Sequence, residues 1–428
     1  MKKVAFKTLG CRLNQYETDA LASQFQNKGY QLVPFSESAD VYVINSCTVT
    51  HQSDHKSRNF INQANRRNKD SVLVVTGCMA NNAKEELENQ DEINYVVEND
   101  QKTSVFSLVE AHFDGEIIHP SKLNVDLFSY GATDKGFHTR SMIKIQDGCD
   151  NFCTFCIIPS VRGRAKSRPI NDILTNIREV IAQGAKEIVI TGVNIGRYEF
   201  ENYKFDDLVE QILDLEGNFR LRISSIEPDG FGDKFISLLK HPKMTPHLHL
   251  CLQSGSESVL LQMRRMYTAK KFKATVDKIR SQNPDFNITT DVIIGFPNEQ
   301  NEDFLATCEL SKKIKFGHIH AFKYSIRKGT RGERMINQVN EQTKNKRSEI
   351  LRNLSEEMKI EYRKSFIGKH QSVLVEKSKE NINYGYGEHY IPVEFLGENI
   401  KRNQFYKVKI TGVQDDPDPA LKGILISE

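Results

Sequence analysis

The sequence has no long apolar run. Nothing in it approaches the ~20 consecutive apolar residues that a membrane span requires, which excludes a spanning helix. It also shows no export signal. The N-terminus, MKKVAFKTLGC, starts basic but carries no apolar segment behind it, so a cytoplasmic protein is expected. There is no excess of one charge either: 59 Lys and Arg against 56 Asp and Glu leave +3. Any basic surface for nucleic acid must therefore be local. With 25 Gly and 12 Pro in 428 residues, collagen-like and low-complexity chains are also excluded. What remains, 27% charged and 38% hydrophobic residues, is a globular balance with apolar mass for two or three domains.

Cysteine is scarce too, at eight residues, which rules out a dense disulfide scaffold. Cysteine clusters in a reducing compartment are more often metal-binding or catalytic. The eight divide into three groups. Cys149, Cys153 and Cys156 form a C-x3-C-x2-C run in DGCDNFCTFC. Cys11, Cys47 and Cys78 are spread over the first 80 residues, and Cys251 and Cys308 are solitary. The two solitary residues read as structural.

The first hundred residues alternate between strand and helix patterns. KVAFKTLG (3–10), DVYVINS (40–46), SVLVVTG (71–77) and INYVVEN (93–99) are strand-like, with helical spacing between them. This predicts a doubly wound parallel sheet. Cys11, Cys47 and Cys78 each follow one of the first three strands directly. If those strands are parallel neighbours, the three thiols converge on one rim, where open α/β sheets bind ligands. Otherwise each is an ordinary buried cysteine. Residues 115–138 carry little periodicity and read as a linker.

From residue 139 the alternation resumes. Six strand-like segments (142–146, 187–194, 221–228, 247–253, 287–296 and 318–325) are separated by helical ones. Six βα units fall short of the eight in a closed barrel, so a partial (β/α)6 barrel is expected. Residues 344–365 form a charged helix in which Ile350, Leu354, Met358 and Tyr362 recur at spacing four as an apolar face. Residues 366–428 read as short strands between turns, the pattern of a small antiparallel β-barrel. The expected domains are therefore 1–114, a linker at 115–138, 139–365 and 366–428.

Zinc usually takes four protein ligands, often as two CxxC pairs, and no second pair exists here. Three thiolates on one loop at the end of a first barrel strand suit an iron–sulfur cluster better. Phe152 and Phe155 alternate with these cysteines, either to shield a cluster or simply to pack. A C-x3-C-x2-C loop ahead of a partial barrel resembles the radical S-adenosylmethionine (SAM) superfamily. TLGCRLNQYET, INSCTVT, TGCMA, IQDGCDNFCTFCIIPSVRGR, SSIEP, LQSGSESVL, DVIIGFP and YSIRKGT resemble, in this order, the methylthiotransferases of that superfamily. The last 60 residues are similar to the family's TRAM domain, a tRNA-binding β-barrel. The NQYET and SCTVT segments look most like the branch acting on N6-threonylcarbamoyladenosine. Cys251 departs from the family pattern, where Pro, Ser or Val is usual.

The resemblance implies an enzyme that adds a methylthio group to C2 of N6-threonylcarbamoyladenosine at position 37 of tRNA. It implies two 4Fe–4S clusters, one on Cys11, Cys47 and Cys78 and one on Cys149, Cys153 and Cys156, each with one open iron. SAM on the second cluster would be cleaved to a radical that abstracts the C2 hydrogen, and a second SAM would methylate sulfur held by the first. C2–H is neither acidic nor electrophilic, so acid–base chemistry has no handle on it, and the cofactors carry the reaction. The implied partners are the tRNA anticodon loop, an unidentified electron donor and an unidentified sulfur source, with no membrane. Strand-end residues Gly192, Asn194, Ser225, Glu227 and Gln253 are further candidates for the SAM pocket. Alternatives are the same chemistry on isopentenyladenosine or on a ribosomal-protein aspartate, and, in another class, a non-enzymatic iron–sulfur carrier or RNA-binding protein.

Two local charge excesses are candidates for tracking phosphates. Residues 140–168 hold Arg140, Lys144, Arg162, Arg164, Lys166 and Arg168 against two Asp. Residues 321–364 hold twelve Lys and Arg against six Glu. The last domain is not basic, with eight Lys and Arg against nine Asp and Glu. Its Tyr384, Tyr386, Tyr390, Phe405 and Tyr406 are either stacking faces for bases or core.

Overall fold

The computed structural model describes residues 1–130, 139–415 and 418–426. The N-terminal unit is a five-stranded, all-parallel sheet in the order Gln31–Leu32, Lys3–Thr8, Val41–Ser46, Val72–Gly77, Tyr95–Val97. Alternation along the strands feeds two cores. Val4, Val43 and Val74 point to the helices Arg12–Asn27 and Val105–Phe113. Ala5, Ile44 and Val75 point to the helix His51–Arg67. Burying each valine or isoleucine fully contributes ~1.5–3 kcal/mol, so helices on both faces are what such strands require. The sequence reading missed the two-residue edge strand Gln31–Leu32.

Of the segment 115–138, residues 131–138 lie outside the described residues. The described part packs on this unit. Tyr130 is buried with its ring 5.6 Å from that of Tyr16, and Ile118 and Leu123 join the same core.

Six parallel strands follow: Arg140–Lys144, Glu187–Thr191, Arg220–Ile223 continued by Ser225–Ile226, His247–Leu250, Asn287–Ile294 and His318–Lys323. Pairing runs in sequence order from first to last and does not close. The hydrogen-bond ladder breaks inside the third strand at Ser224. This is the expected partial barrel. Leu221, Ile223, Leu248, Leu250 and Ile288 pack outward against the helices. Their neighbours Arg222, His247, His249 and Thr289 face the interior.

The long helix runs Glu341–Lys364, with Asn340 capping it by accepting from the Thr343 amide at 2.8 Å. Its expected apolar face needs correction. Ile350 is 44% exposed, whereas Leu351 is fully buried with Met358, and the same side carries the buried Lys344, Arg347, Lys359 and Arg363. Those cations find carboxylates or carbonyls in the barrel and in the last domain, including Glu299 and Asp418. A long charged side chain can therefore occupy the docked face.

The C-terminal unit is a closed five-stranded barrel: His370–Lys379, Ile382–Tyr386, Pro392–Leu396, Leu421–Leu425 and Phe405–Val413. Four of its pairings are antiparallel, and the Pro392–Leu396 to Leu421–Leu425 pairing is parallel. The strand Ile382–Tyr386 was not expected. GILISE (423–428) also has a strand pattern, and its last two residues lie outside the described residues.

Candidate active site: two facing cysteine rims

The three strands that precede Cys11, Cys47 and Cys78 are parallel neighbours, so their ends share one rim. Cys11 is exposed at the N-cap of the helix Arg12–Asn27, while Cys47 and Cys78 are buried. Two glycines allow the crowding. Gly10 has φ +95°, and a Cβ there would lie 2.9 Å from both Cβ and Sγ of Cys47. Gly77 has φ +92°, and a Cβ there would lie 2.3 Å from the Ser46 carbonyl. Asn14 ties two strand ends together by donating to Leu9 O at 2.8 Å and Ser46 O at 3.0 Å. Burial pushes the Cys47 thiol up to about 11, and the neighbouring Cys78 and Cys11 add to the rise. Burial raises Cys78 as well, opposed by Arg162.

The second rim is the mouth of the partial barrel. After the short strand Gln146–Asp147 the chain turns at Gly148, where a Cβ would lie 2.0 Å from Arg164 O. Cys149, Cys153 and Cys156 follow on this loop. Cys149 Sγ accepts from Asn151 N at 3.5 Å and Asn194 Nδ2 at 3.7 Å. Cys153 Sγ accepts from Arg265 Nη1 at 3.0 Å. Burial raises all three thiols, Cys156 to about 12. Phe155 packs into a core of Val259, Met263, Phe296 and Tyr324. Phe152 is 45% exposed, with φ +47°.

Among the strand-end candidates, Asn194 and Glu227 reach the site. Glu227 holds Asn151 and Arg265, the latter at 2.8 Å. Gly192 packs under the Gln146 carbonyl, Ser225 opens the second half of the third strand, and Gln253 lies beyond the fourth, bridged to Val292, with φ +65°. Arg265 and Asn151 were missed, because nothing in QMRRM or DNF sets them apart. Cys308 is core, as expected. Cys251 instead belongs with His249 and Asp291, whose ligand atoms all lie within 4.8 Å of one another and of its Sγ.

The two rims face each other. Cys78 packs against Ile157 and Val161, just beyond Cys156. Between the rims lies a buried charge cluster. Arg162 donates to Asp147 and Glu17, and to Asn14 Oδ1 at 2.6 Å. Lys144 bridges Glu17 at 3.0 Å and Asp147 at 2.7 Å, and Lys102 pairs with Glu17. Three cations meet two carboxylates, each with at most 1% of its side chain exposed. The positive surplus sits beside Cys78: Asp147 and Glu17 hold Arg162 charged against its burial, and Arg162 in turn favours the Cys78 thiolate. Asn14 and Glu17 lie within NQYET, so a signal for this lock existed in the motif. YSIRKGT supplies a second clasp: Arg327 donates to Thr48 O at 2.8 Å and Asp54 at 2.6 Å, beside Cys47.

This overturns the phosphate-tracking expectation for most of 140–168. Lys144, Arg162 and Arg168 are buried, and Arg140 is held by Glu187 and Glu376. Only Arg164 and Lys166 are exposed. In 321–364 seven of the twelve cations remain exposed, namely Lys323, Lys328, Arg331, Arg334, Lys346, Arg352 and Lys364. Tyr386 and Tyr390 stack on each other at 4.8 Å, Tyr406 packs on the barrel core and Phe405 lies under Arg220. Tyr384 is 40% exposed.

Among the described residues, neither cysteine trio draws its sulfurs within 4.8 Å of one another as His249, Cys251 and Asp291 do. A single ion at ~2.3 Å from each sulfur would need that closeness, so neither trio is drawn in around one ion, and three thiols with no fourth cysteine suit a multi-iron cluster by their donor chemistry.

Residues 3–98 match the family described as Uncharacterized protein family UPF0004, and residues 143–311 match the Radical SAM superfamily. The chain is 36% identical to the Threonylcarbamoyladenosine tRNA methylthiotransferase MtaB of Thermotoga maritima, covering 97% of this chain and 96% of that one. It is 37% identical to the protein of the same name from Bacillus subtilis, over 96% and 94%. It is 35% identical to the tRNA-2-methylthio-N(6)-dimethylallyladenosine synthase of Fusobacterium nucleatum, over 96% and 97%. A solved structure of the radical SAM methyltransferase TsrM from Kitasatospora setae shares the fold, with a TM-score of 0.56 at 13% identity, over 90% of this chain and 77% of that one. With both rims in place and these relatives matched over nearly their whole length, the chain belongs to the radical SAM methylthiotransferase family.

Proposed function

We propose that this protein adds a methylthio group to C2 of N6-threonylcarbamoyladenosine at position 37 of tRNA. The observation that carries the reading is the pair of three-thiol rims, packed face to face and each without a fourth cysteine. Cys11, Cys47 and Cys78 would hold one 4Fe–4S cluster, and Cys149, Cys153 and Cys156 the other. Loaded with SAM, such clusters supply the radical that removes the C2 hydrogen and the sulfur and methyl group that replace it.

The protein's own residues do the rest. Asn194 and Arg265 donate to the Cys149 and Cys153 sulfurs and stabilise their thiolate forms. Glu227 fixes Arg265 and Asn151 in place. The surplus cation of the Glu17–Asp147–Lys102–Lys144–Arg162 cluster offsets the negative charge of three thiolates in the first rim. Packing of Ile157 and Val161 on Cys78 keeps water out between the rims. An electron donor and a sulfur source must come from outside the chain. Among the described residues no helix is long and apolar enough to cross a membrane.

The test is mass spectrometry of tRNA nucleosides from cells with and without the gene. Loss of 2-methylthio-N6-threonylcarbamoyladenosine, with its unthiolated parent accumulating, is expected. Loss of the methylthio isopentenyl nucleoside instead would move the protein to the neighbouring branch. A chain that releases no 5′-deoxyadenosine from SAM under reducing conditions would be a carrier rather than an enzyme.

A further inference from the structure

We propose that Arg222 and Arg12 read the free carboxylate of the threonylcarbamoyl group, which makes them specificity residues. The inference rests on the substrate proposed above. A threonylcarbamoyl substituent ends in a carboxylate, whereas an isopentenyl substituent is hydrocarbon throughout. An enzyme that distinguishes the two needs an unsatisfied cation where the N6 substituent lies.

The barrel interior holds one. A cavity of about 360 Å³ lies between the first helix, the first three barrel strands and the C-terminal barrel. Arg12, Arg140, Arg222, Lys377 and Arg402 line it, against a single carboxylate, Glu376. Arg12 and Tyr390 are shared with an adjoining cavity of about 330 Å³, which is lined by His247, His249 and His320. Asp418 lines the adjoining cavity but is paired with Lys359 and Arg363, and Glu187 is divided among Arg140 at 3.2 Å, Arg220 at 2.6 Å and Arg222 at 3.2 Å. Arg12 has no ion pair among the described residues. The cavity is therefore short of negative charge.

Arg222 is 2% exposed; its Nε faces Glu187 Oε1 at 3.2 Å, and its buried Nη1 makes no hydrogen bond. Buried arginine nitrogens are normally satisfied. Its flat face lies on the Tyr390 ring, 3.4 Å from guanidinium carbon to ring centroid. Stacking occupies the face and Glu187 the Nε side, which leaves Nη1 to donate to a carboxylate brought into the cavity. Arg12 approaches the same ring at 5.6 Å. Tyr390 itself sits at φ +58°, in the left-handed region that a tyrosine seldom adopts, and is held there between Tyr386 at 4.8 Å and the His247 ring at 5.1 Å. The platform that fixes Arg222 thus keeps an unfavourable backbone conformation and spans two of the chain's folded units.

The test measures binding of cluster-loaded, full-length protein to three anticodon stem–loops: one with threonylcarbamoyladenosine, one with its carboxylate capped as the primary amide, and one with unmodified adenosine. Wild type is expected to favour the free carboxylate over the amide by about 30-fold, the scale of losing one partner of a buried charge pair. R222Q is expected to erase that ratio without weakening the unmodified loop, and R222K to keep part of it. R12Q, at an exposed position, is expected to narrow it by about five-fold. An equal loss by R222Q on all three loops would mean a backbone-phosphate contact and would overturn the proposal. A wild-type preference that neither R222Q nor R12Q narrows would place the carboxylate elsewhere and overturn it too, leaving the substrate assignment standing. If wild type methylthiolates an isopentenyladenosine loop but not the threonylcarbamoyl one, the substrate assignment itself fails.

Discussion

The two rims hold the same number of thiols by different means. The barrel trio spans eight residues of one loop, so local hydrogen bonds and a turn at Gly148 place it. The N-terminal trio comes from three strand ends, 67 residues from first to last, and only the assembled sheet brings the thiols together. One rim is a motif and the other is a consequence of topology. The first should therefore tolerate damage to the fold that the second cannot. The largest expected effect tests the part they share. Cys78→Ser and Cys153→Ser should each lower iron from about eight to about four atoms per chain and abolish methylthiolation. Iron analysis and nucleoside mass spectrometry check this. Full iron and activity in both variants would remove the cluster assignment.

Next in size are the glycines. Gly77→Ala forces a Cβ to 2.3 Å from Ser46 O at φ +92° and must push two core strands apart. We expect a loss of about 3 kcal/mol in urea unfolding, together with the first cluster. Gly148→Ala meets Arg164 O at 2.0 Å, but on a loop. It should release the SAM-binding cluster while leaving the sheet's unfolding nearly unchanged. Equal destabilisation by the two would break the contrast. Gly163→Ala, at φ +73° with open space around it, serves as the control and should cost only ~1 kcal/mol.

What the sequence could show follows the same division. A loop motif is visible in one dimension, and so are cysteines that each end a strand-like run. Burial of charge is not. Lys144 and Arg162 count as basic residues in any window. Their partner Glu17 lies more than 120 positions away, so a local excess of Lys and Arg looks like a phosphate track when it is an internal lock. Short elements escape for another reason. Ile382–Tyr386 reads as a turn because it contains Gly385, but that glycine is needed where a Cβ would meet Leu374 O at 2.1 Å. On the long helix, spacing four selects Ile350 and spacing seven selects Leu351 with Met358. Only docking decides between them.

The lock between the rims comes third, because breaking it costs stability without displacing a cluster. Glu17→Gln leaves Lys102, Lys144 and Arg162 facing Asp147 alone, and should cost about 3–5 kcal/mol. Lys102→Met leaves two cations against two carboxylates, and should stay within ~1 kcal/mol of wild type. Burial alone would raise the Glu17 pKa, but Arg162, Lys102 and Lys144 overcome it and hold the group well below the usual carboxylate range. A carboxyl depressed in the folded state stabilises fully above its unfolded pKa, and this contribution is lost as pH falls below about 4.5. Acid unfolding of Glu17→Gln should therefore be flatter than that of wild type in this window. A parallel acid limb would show that the lock contributes nothing to the folded state.

The smallest expected effect lies outside the ligands and sharpens the comparison most. Asn194 Nδ2 touches Cys149 Sγ and Arg265 Nη1 touches Cys153 Sγ, so the local rim is held by donors from distant segments of the barrel after all. Replacing either leaves three cysteines on an intact loop, and the cluster should still form with full iron. What changes is its environment: a thiolate sulfur loses a hydrogen bond, and with Arg265 it also loses a charge that favours the electron-rich state. Asn194→Ala should lower turnover about 10-fold and Arg265→Met nearer 100-fold, both with unchanged iron and a shifted cluster spectrum. Loss of iron in Asn194→Ala would show that the loop cannot hold its cluster alone. The barrel trio would then depend on tertiary structure as fully as the N-terminal trio does.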